Sequence, residues 1–208
     1  MTIDRRTDAF IVIDIQRDFC RGGALAVPGG DDVVPLINRL FPRFTLSIFT
    51  QDWHTAGHVS FASAHPGKNN YETIALTYGE QTLWPDHCVQ GTDGADFHPL
   101  LDQMNAAAII RKGYHAAVDS YSAFFENDRS TPTGLAGFLS TLGVQRVFIA
   151  GLATDFCVLY SALDARALGL DVVVIDDASR GIDINGSLAA AHEAMIRAGI
   201  ILVTADTL

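Results

Sequence analysis

Basic residues are scarce in this 208-residue chain: 14 Lys and Arg stand against 24 Asp and Glu, a formal net charge of −10. Surfaces that bind nucleic acid gain affinity by neutralising phosphates with Lys and Arg, so the sequence predicts no nucleic-acid partner. Charged residues make up only 18% of the chain and hydrophobic residues 49%. This composition is the opposite of a disordered chain and predicts a single globular domain over residues 1–208, a length that α/β domains often reach.

Long apolar runs are also missing. A helix that spans a bilayer needs about 18 consecutive apolar residues, and the densest run here covers only Val147–Ala153. The first residues lack the apolar stretch of a secretory signal. Cysteine is rare, and Cys20, Cys88 and Cys157 form no CxxC pair, which argues against a disulfide framework and against a cysteine zinc site. We therefore expect no membrane association, and free thiols in a cytoplasmic protein.

Strands alternate with helices along the chain. Branched and aromatic residues predict six buried strands, at Phe10–Asp14, Leu46–Thr50, Ala107–Arg111, Arg146–Ala150, Asp171–Ile175 and Ile200–Thr204. Start and stop signals predict helices at Asp32–Phe41, Pro132–Leu142 with Pro132 as the first residue, Asp155–Leu168 and Ser187–Ala198. This alternation predicts a three-layer α/β/α fold, with a six-stranded parallel sheet in the order 3-2-1-4-5-6.

One segment, from His54 to about Gly94, has no sustained period and carries four of the seven histidines. A long loop without regular structure inside a compact domain is usually either functional or a sign of misassigned elements. The histidines favour function, so we expect this segment to contribute to a site.

Reactive residues stand at the predicted strand ends, where open parallel sheets bind their ligands. The fourth strand leads into a helix with Cys157 in its first turn. Unpaired N–H groups at a helix start lower the pKa of a thiol and favour the nucleophilic thiolate. The alternative is that Cys157 is a small buried packing residue, which we predict for Cys20 and Cys88.

Asp14 and Lys112 stand at the ends of the first and third predicted strands. Each is costly to bury alone, so we expect the two side chains to pair. The spacing does not decide between a catalytic pair and a purely structural ion pair.

A second group combines a carboxylate with imidazoles, at Asp52, His54, His58 and His87. Such ligands hold Zn, Fe or Mn. His54 and His58 have the spacing of a zinc-protease helix, but the general-base Glu is missing and Gly57 opposes a helix, which excludes that motif. A surface or hydrogen-bonded side chain is the alternative for each histidine, and we predict it for His65, His98, His115 and His192.

Two aromatic residues, Phe19 and Trp84, stand close to these motifs. They either form the walls of a slot for a flat aromatic ligand or pack in the core, and core packing is the more frequent fate of such side chains.

These residues together resemble the nicotinamidase/pyrazinamidase branch of the isochorismatase-like cysteine hydrolases. The matching stretches are Val12–Cys20 with Gly22–Val27, Gln51–His54, Trp84–Val89, Lys112–Gly113 and Gly151–Val158. Five motifs in the same order over nearly the whole chain argue against a chance likeness. Residues 60–78 are not aligned, and nothing is carried over from them.

The resemblance implies a cysteine amidohydrolase that converts nicotinamide to nicotinate and ammonia in NAD salvage and also acts on pyrazinamide. It implies a catalytic triad of Asp14, Lys112 and Cys157. It also implies a cis peptide before Ala153, so that the N–H groups of Ala153 and Cys157 form an oxyanion hole.

The same resemblance implies one divalent ion, Zn, Fe or Mn, held by Asp52, His54 and His87, and it leaves coordination by His58 open. The ion would bind the pyridine nitrogen of the substrate. The ring would lie between Phe19 and Trp84, and Tyr121 would either line the same slot or pack in the core or a lid.

Two other functions remain as alternatives. A relative that acts on another small amide or on isochorismate would not need the metal ligands, and a silent binding module would not need an intact triad. In each case the partner is a small molecule. The sequence does not decide between a monomer and a homo-oligomer.

Overall fold

The computed structural model describes residues 1–208. Its strands are β1 (Asp8–Ile13), β2 (Ser47–Asp52), β3 (Thr73–Leu76), β4 (Gly79–Thr82), β5 (Ala108–Lys112), β6 (Arg146–Leu152), β7 (Asp171–Arg180) and β8 (Ile201–Val203). Its α-helices are α1 (Val33–Leu40), α2 (Leu135–Thr141), α3 (Leu159–Ala167) and α4 (Ser187–Arg197). None of the helices is long and apolar enough to cross a membrane.

Six strands form one parallel sheet in the order β5-β2-β1-β6-β7-β8, and β3 and β4 form a separate antiparallel hairpin. Without the two hairpin strands, the chain order of the large sheet is 3-2-1-4-5-6. The predicted α/β fold with a six-stranded parallel sheet is confirmed.

The alternation of side chains along β1 divides the core into two layers. Phe10 and Val12 face one side of the sheet, in a cluster that includes the apolar face of α1. Ala9, Ile11 and Ile13 face the other side, where the apolar residues of α2, α3 and α4 pack. Because helices cover both faces, all six residues of β1 are buried. The central strands are therefore fixed in position, and so are the residues at their ends.

The edge strands differ from the prediction of full burial. In β5, Ile109 and Arg111 are exposed while Lys112 at its end is buried. The strand pairs only with β2, so its outer side has no neighbouring strand. Its alternation is that of a half-exposed edge strand.

The start of α2 also differs from the prediction. The helix begins at Leu135, after Gly134 in the left-handed region with φ 97°. Pro132 is not its first residue, because it forms an isolated antiparallel bridge with Phe125.

The β3–β4 hairpin lies in the segment that we expected to be without regular structure. Its two-residue turn, Thr77–Tyr78, lacks the Asn-Gly or Asp-Gly signature that identifies such turns in a sequence. Most of the hairpin is exposed or half-buried, but Gln81 in β4 is fully buried and donates a hydrogen bond to Asp119, in the loop after β5. The hairpin therefore covers part of the sheet edge at which we expect the site.

Candidate active site

The sheet brings the predicted strand-end residues together around one buried ammonium. Asp14 follows β1, while Asp52 and Lys112 end β2 and β5. Lys112 Nζ lies 2.8 Å from Asp14 Oδ2, 2.8 Å from Asp52 Oδ1 and 3.4 Å from Cys157 Sγ. It also donates a hydrogen bond to the carbonyl of Ser120 at 2.9 Å. The predicted pairing of Asp14 with Lys112 is confirmed.

Lys112 is fully buried. Burial by itself lowers the pKa of Lys112, but the carboxylates of Asp14 and Asp52 reverse this and raise it well above its ordinary value. The side chain is therefore a fixed positive charge at neutral pH. It stabilises negative charge on its three neighbours and is not a proton donor.

Asp14 is also fully buried. Burial, assisted by the negative charge of Asp52, raises the pKa of Asp14, while Lys112 and a hydrogen bond from Thr50 lower it in part. Thr50 Oγ1 donates to Asp14 Oδ1 at 2.6 Å. The second oxygen, Oδ2, contacts the Lys112 ammonium at 2.8 Å but has no well-aligned hydrogen bond. The carboxylate of Asp14 is thus more basic than that of an ordinary aspartate.

Cys157 lies in a π-helical turn, Thr154–Val158, that precedes α3. Our expectation of a lowered pKa is wrong: burial raises the pKa of Cys157 well above that of an ordinary thiol, and Lys112 offsets this only in part. The side chain is 7% exposed, so desolvation of the thiolate outweighs the helix start. The resting group is a thiol that needs a base. The peptide between Leu152 and Ala153 is cis, as the resemblance implied.

Asp52, His54 and His87 form a buried group whose ligand atoms all lie within 4.8 Å of one another. Asp52 Oδ2 is 3.2 Å from His54 Nε2 and 3.4 Å from His87 Nε2. The other ring nitrogens, Nδ1, face the carbonyls of Gly113 at 2.9 Å and Pro85 at 2.8 Å. A carbonyl can only accept, so each Nδ1 carries a hydrogen, and the neutral form of each ring directs its Nε2 lone pair at Asp52.

Two lone pairs directed at one carboxylate oxygen are unfavourable unless a cation lies among them. Hydrogen bonds from Nδ1 to backbone carbonyls are also what fixes the ring orientation of histidine ligands in metalloproteins. The donor chemistry of the three residues therefore fits a divalent metal ion.

Gly113 makes this arrangement possible. Its φ is +65°, and a Cβ atom there would lie 2.6 Å from Cε1 of His54. No other residue could approach the ring so closely while its carbonyl accepts from Nδ1.

His58 does not complete the ligand set. Its Nδ1 accepts from the backbone N–H of Ser60 at 3.3 Å, and its Nε2 donates to the carbonyl of His115 at 2.9 Å. Both ring nitrogens are therefore engaged within the protein. The ring packs against that of His54 with centroids 4.4 Å apart, which supports the position of the ligand.

Phe19, Trp84 and Tyr121 line one cavity together with Asp52, His87 and Cys157. Trp84 Nε1 donates to the hydroxyl of Tyr121 at 3.1 Å, which fixes the two rings relative to each other. The cavity thus has aromatic walls, the predicted nucleophile and two of the predicted metal ligands.

Sequence reasoning missed further lining residues, above all Asp119, and also Leu25, Phe156 and Ile182. Phe156 packs edge-on against Trp84 with centroids 4.8 Å apart. Leu25 and Phe156 belong to the stretches that carry the resemblance and could have been chosen. Asp119 follows no strand and no known motif, and its only signal is a carboxylate after the apolar run Ala116–Val118.

The remaining histidines all form hydrogen bonds, as predicted: His65 with Val59, His98 with Leu100, His115 with Glu126 and His192 with Asp176. Cys20 and Cys88 are buried in the core, also as predicted.

Cys20, Asp31 and His98 form another group of three close ligand atoms. There Nδ1 of His98 accepts from the N–H of Leu100 at 3.2 Å, so the hydrogen of the neutral ring is on Nε2, the nitrogen nearest Asp31. This tautomer opposes metal binding, in contrast to His54 and His87.

Comparison with known proteins is consistent with this geometry. The isochorismatase domain family matches residues 8–207. A nicotinamidase from Acinetobacter baylyi is 53% identical over 192 residues, covering 92% of this chain and 90% of its own.

Solved structures give the same relationship. A nicotinamidase/pyrazinamidase from Acinetobacter baumannii is 50% identical, with a TM-score of 0.96 and coverage of 98% of this chain and 99% of its own. PnC1 from L. infantum, in complex with nicotinate, is 38% identical with a TM-score of 0.88, covering 100% and 98%. A pyrazinamidase from Pyrococcus horikoshii, in complex with zinc, is 38% identical with a TM-score of 0.77, covering 95% and 98%.

Proposed function

The chain belongs to the isochorismatase family and is an amidohydrolase of the nicotinamidase type, and on this premise we propose that it hydrolyses nicotinamide to nicotinate and ammonia with one divalent metal ion, Zn, Fe or Mn. Pyrazinamide, which has the same ring shape and carboxamide, is proposed as a second substrate. The proposed reaction belongs to NAD salvage, and the proposed location is the cytoplasm. A single domain over residues 1–208 is supported by the family match to residues 8–207.

One observation carries the proposal. Lys112 Nζ lies 3.4 Å from Cys157 Sγ and 2.8 Å from Asp14 Oδ2, and Cys157 lines a cavity that Asp52 and His87 of the buried ligand set also line. A nucleophile, a base and a fixed cation at one aromatic cavity are the groups that hydrolysis of a flat aromatic amide requires.

In the first half of the proposed reaction, Asp14 removes the proton of Cys157 while the sulfur attacks the amide carbon. The thiol is protonated at rest because burial raises its pKa, and Asp14 is a stronger base than usual for the same reason. The tetrahedral intermediate expels the amine, which takes the proton from Asp14 and leaves as ammonia. The product of this half is a thioester at Cys157.

In the second half, Asp14 accepts a proton from water as the water oxygen attacks the thioester carbon. The C–S bond then breaks, the proton returns to the sulfur, and the product leaves as nicotinic acid, which loses its proton to solvent to give nicotinate. Lys112 stays charged throughout, so the base is a carboxylate before each proton transfer.

Negative charge develops on the carbonyl oxygen in both halves. We assign its stabilisation to the backbone N–H groups of Ala153 and Cys157, two residues that line the cavity. Phe19, Trp84 and Tyr121 are proposed to hold the ring between them.

Asp52, His54 and His87 are the residues proposed to hold the metal ion, which supplies an electrophilic position for the ring nitrogen of the substrate. Asp52 is shared between this ligand set and Lys112, because its Oδ2 faces the two imidazoles and its Oδ1 accepts from the ammonium. The carboxylate thereby fixes the distance between the ring end and the amide end of the site.

The direct test is ammonia release from nicotinamide by the purified protein, with the metal content measured on the same sample. We expect release that depends on a bound divalent metal, with nicotinate as the second product. A protein that carries metal but releases no ammonia from nicotinamide would contradict the proposed substrate. Release without any metal would contradict the metal dependence alone.

The pH dependence tests the role of Asp14. Activity needs the carboxylate, so kcat/KM should fall as the pH falls through the pKa of Asp14. Replacing Thr50 with valine removes a hydrogen bond to the ionised form, which raises that pKa further and moves the fall to higher pH. Hydrogen bonds to charged groups contribute about 1.5 kcal/mol, so we expect roughly tenfold lower kcat/KM on the acid side and little change at the plateau.

The conservative variant Thr50→Ser retains the hydroxyl and should retain the wild-type profile. A Thr50→Val profile that falls equally at all pH values would mean that Thr50 supports folding or binding and not the ionisation of Asp14.

A further inference from the structure

Asp119 is a buried carboxylate without a cationic side chain to balance it. It is 1% exposed, and no Lys or Arg nitrogen lies within 4 Å of its oxygens. Lys112, the one buried ammonium of the site, is already shared by Asp14 and Asp52. A buried charge is costly unless it is paired, so the position of Asp119 needs an explanation.

The side chain is held in a definite orientation. Gln81 Nε2, from the β3–β4 hairpin, donates to Asp119 Oδ2 at 2.7 Å, and the backbone N–H of Ser120 donates to Oδ1 at 2.8 Å. Gln81 Oε1 accepts from Tyr78 and Asn127, so the amide cannot turn over without losing these bonds. The fully buried Gln81 therefore fixes Asp119 from the hairpin side.

In this orientation Asp119 faces the metal ligands. Its Oδ1 lies 3.9 Å from Nε2 of His54, the same nitrogen that lies 3.2 Å from Asp52 Oδ2. An ion bound to that nitrogen would thus have carboxylates of both aspartates close by.

The charge balance of the site also indicates a role for Asp119. The site holds three buried carboxylates, at Asp14, Asp52 and Asp119, and one buried ammonium, Lys112, which contacts the first two. Two negative charges are left uncompensated when the histidines are neutral. A divalent cation neutralises two negative charges. Without Asp119 the site would have only one uncompensated negative charge, which is too few to balance the cation.

We propose that Asp119, oriented by Gln81, is a positioning residue of the metal centre that strengthens its hold on a divalent cation. The inference rests on the metal ion of the proposed function. It assigns a role to the hairpin as well, because Gln81 connects β4 to the site.

The test is the affinity of the metal-free full-length protein for Zn²⁺, measured by competition with a chromogenic chelator. Outer partners of metal ligands typically contribute 10- to 100-fold to affinity, so Asp119→Asn should bind Zn²⁺ 10- to 100-fold more weakly than wild type. Gln81→Leu, which frees the carboxylate to move, should weaken binding several-fold. The control Asp206→Asn removes an exposed carboxylate and should stay within twofold of wild type.

Thermal unfolding separates this role from a purely structural one. Without metal, Asp119→Asn should unfold at the same or a higher temperature than wild type, because it removes an uncompensated buried charge. The increase in unfolding temperature on adding Zn²⁺ should shrink. Lower stability of the metal-free variant with unchanged Zn²⁺ affinity would overturn the proposal.

A double variant, Gln81→Glu with Asp119→Asn, keeps the net charge and an amide–carboxylate pair but moves the carboxylate into the hairpin. Affinity should remain weakened if the position of the charge matters, and full recovery would overturn the proposed position. If wild type itself binds no Zn²⁺ while hydrolysing nicotinamide, this proposal and the metal dependence fail and the proposed substrate stands.

Discussion

Replacing Cys157 with alanine is expected to lower kcat for nicotinamide by at least about 10⁴-fold, because the covalent step then has no nucleophile. Binding of nicotinamide should change little, since the aromatic walls and the metal ligands are untouched. The two quantities are measured by ammonia release and by titration calorimetry on the same preparation. Cys20→Ala is the matched control: Cys20 is buried next to Asp31 and His98 and does not line the cavity, so this variant should keep most of its activity.

A direct attack by metal-activated water would give a different result. In that mechanism Cys157 is a wall of the cavity, and the alanine variant would retain substantial turnover. Retention of even a tenth of the wild-type kcat, which corresponds to about 1.4 kcal/mol of barrier, would exclude nucleophilic catalysis by Cys157.

Thiol chemistry offers an independent check on the same residue. Burial raises the pKa of Cys157 well above its ordinary value, and it raises that of Cys20 to about 12. Neither thiol is ionised at neutral pH without help. Because Asp14 is the base proposed for Cys157, we expect an electrophile with the shape of the amide substrate to label Cys157 faster than Cys20. The variant Asp14→Asn should remove this difference in labelling rate.

The fold and most residues of the candidate site could be predicted from the sequence for a definite reason. Buried parallel strands are short apolar runs, and their ends must carry the residues that face the ligand, so Asp52 and Lys112 were found at strand ends. The same reasoning failed for Cys157, because a helix start was expected to control the pKa and burial controls it instead.

The hairpin and Asp119 could not be predicted in this way. The strands of the hairpin, β3 and β4, have only four residues each, and the turn Thr77–Tyr78 lacks the Asn-Gly or Asp-Gly signature of a strand pair. Asp119 is held at the site by one hydrogen bond from Gln81 in that hairpin. Both features depend on tertiary contacts between segments about 40 residues apart, which local patterns do not encode.

Benzamide is expected to react about 10²-fold more slowly than nicotinamide in kcat/KM. The two amides have the same reacting group and nearly the same ring, and they differ in the ring nitrogen. Asp52, His54 and His87 form the proposed ligand set, and Asp52 and His87 line the cavity, so benzamide, which has no ring nitrogen, offers nothing to this site. Sites built to bind a polar group discriminate by up to about 10⁴-fold against an analogue that lacks it, but water can refill this position and reduce the effect.

Two histidine variants, measured in parallel, test whether the ligand set causes this preference. In His54→Ala, the preference for nicotinamide over benzamide should shrink together with the absolute rate, because the ligand set is incomplete. In His192→Ala, a half-exposed histidine bonded to Asp176, both the rate and the preference should remain. Equal rates of the wild type on the two amides would mean that the ligand set does not anchor the ring. The metal site would then have to act on the carboxamide or its attacking water, and the thioester route through Cys157 would lose its support.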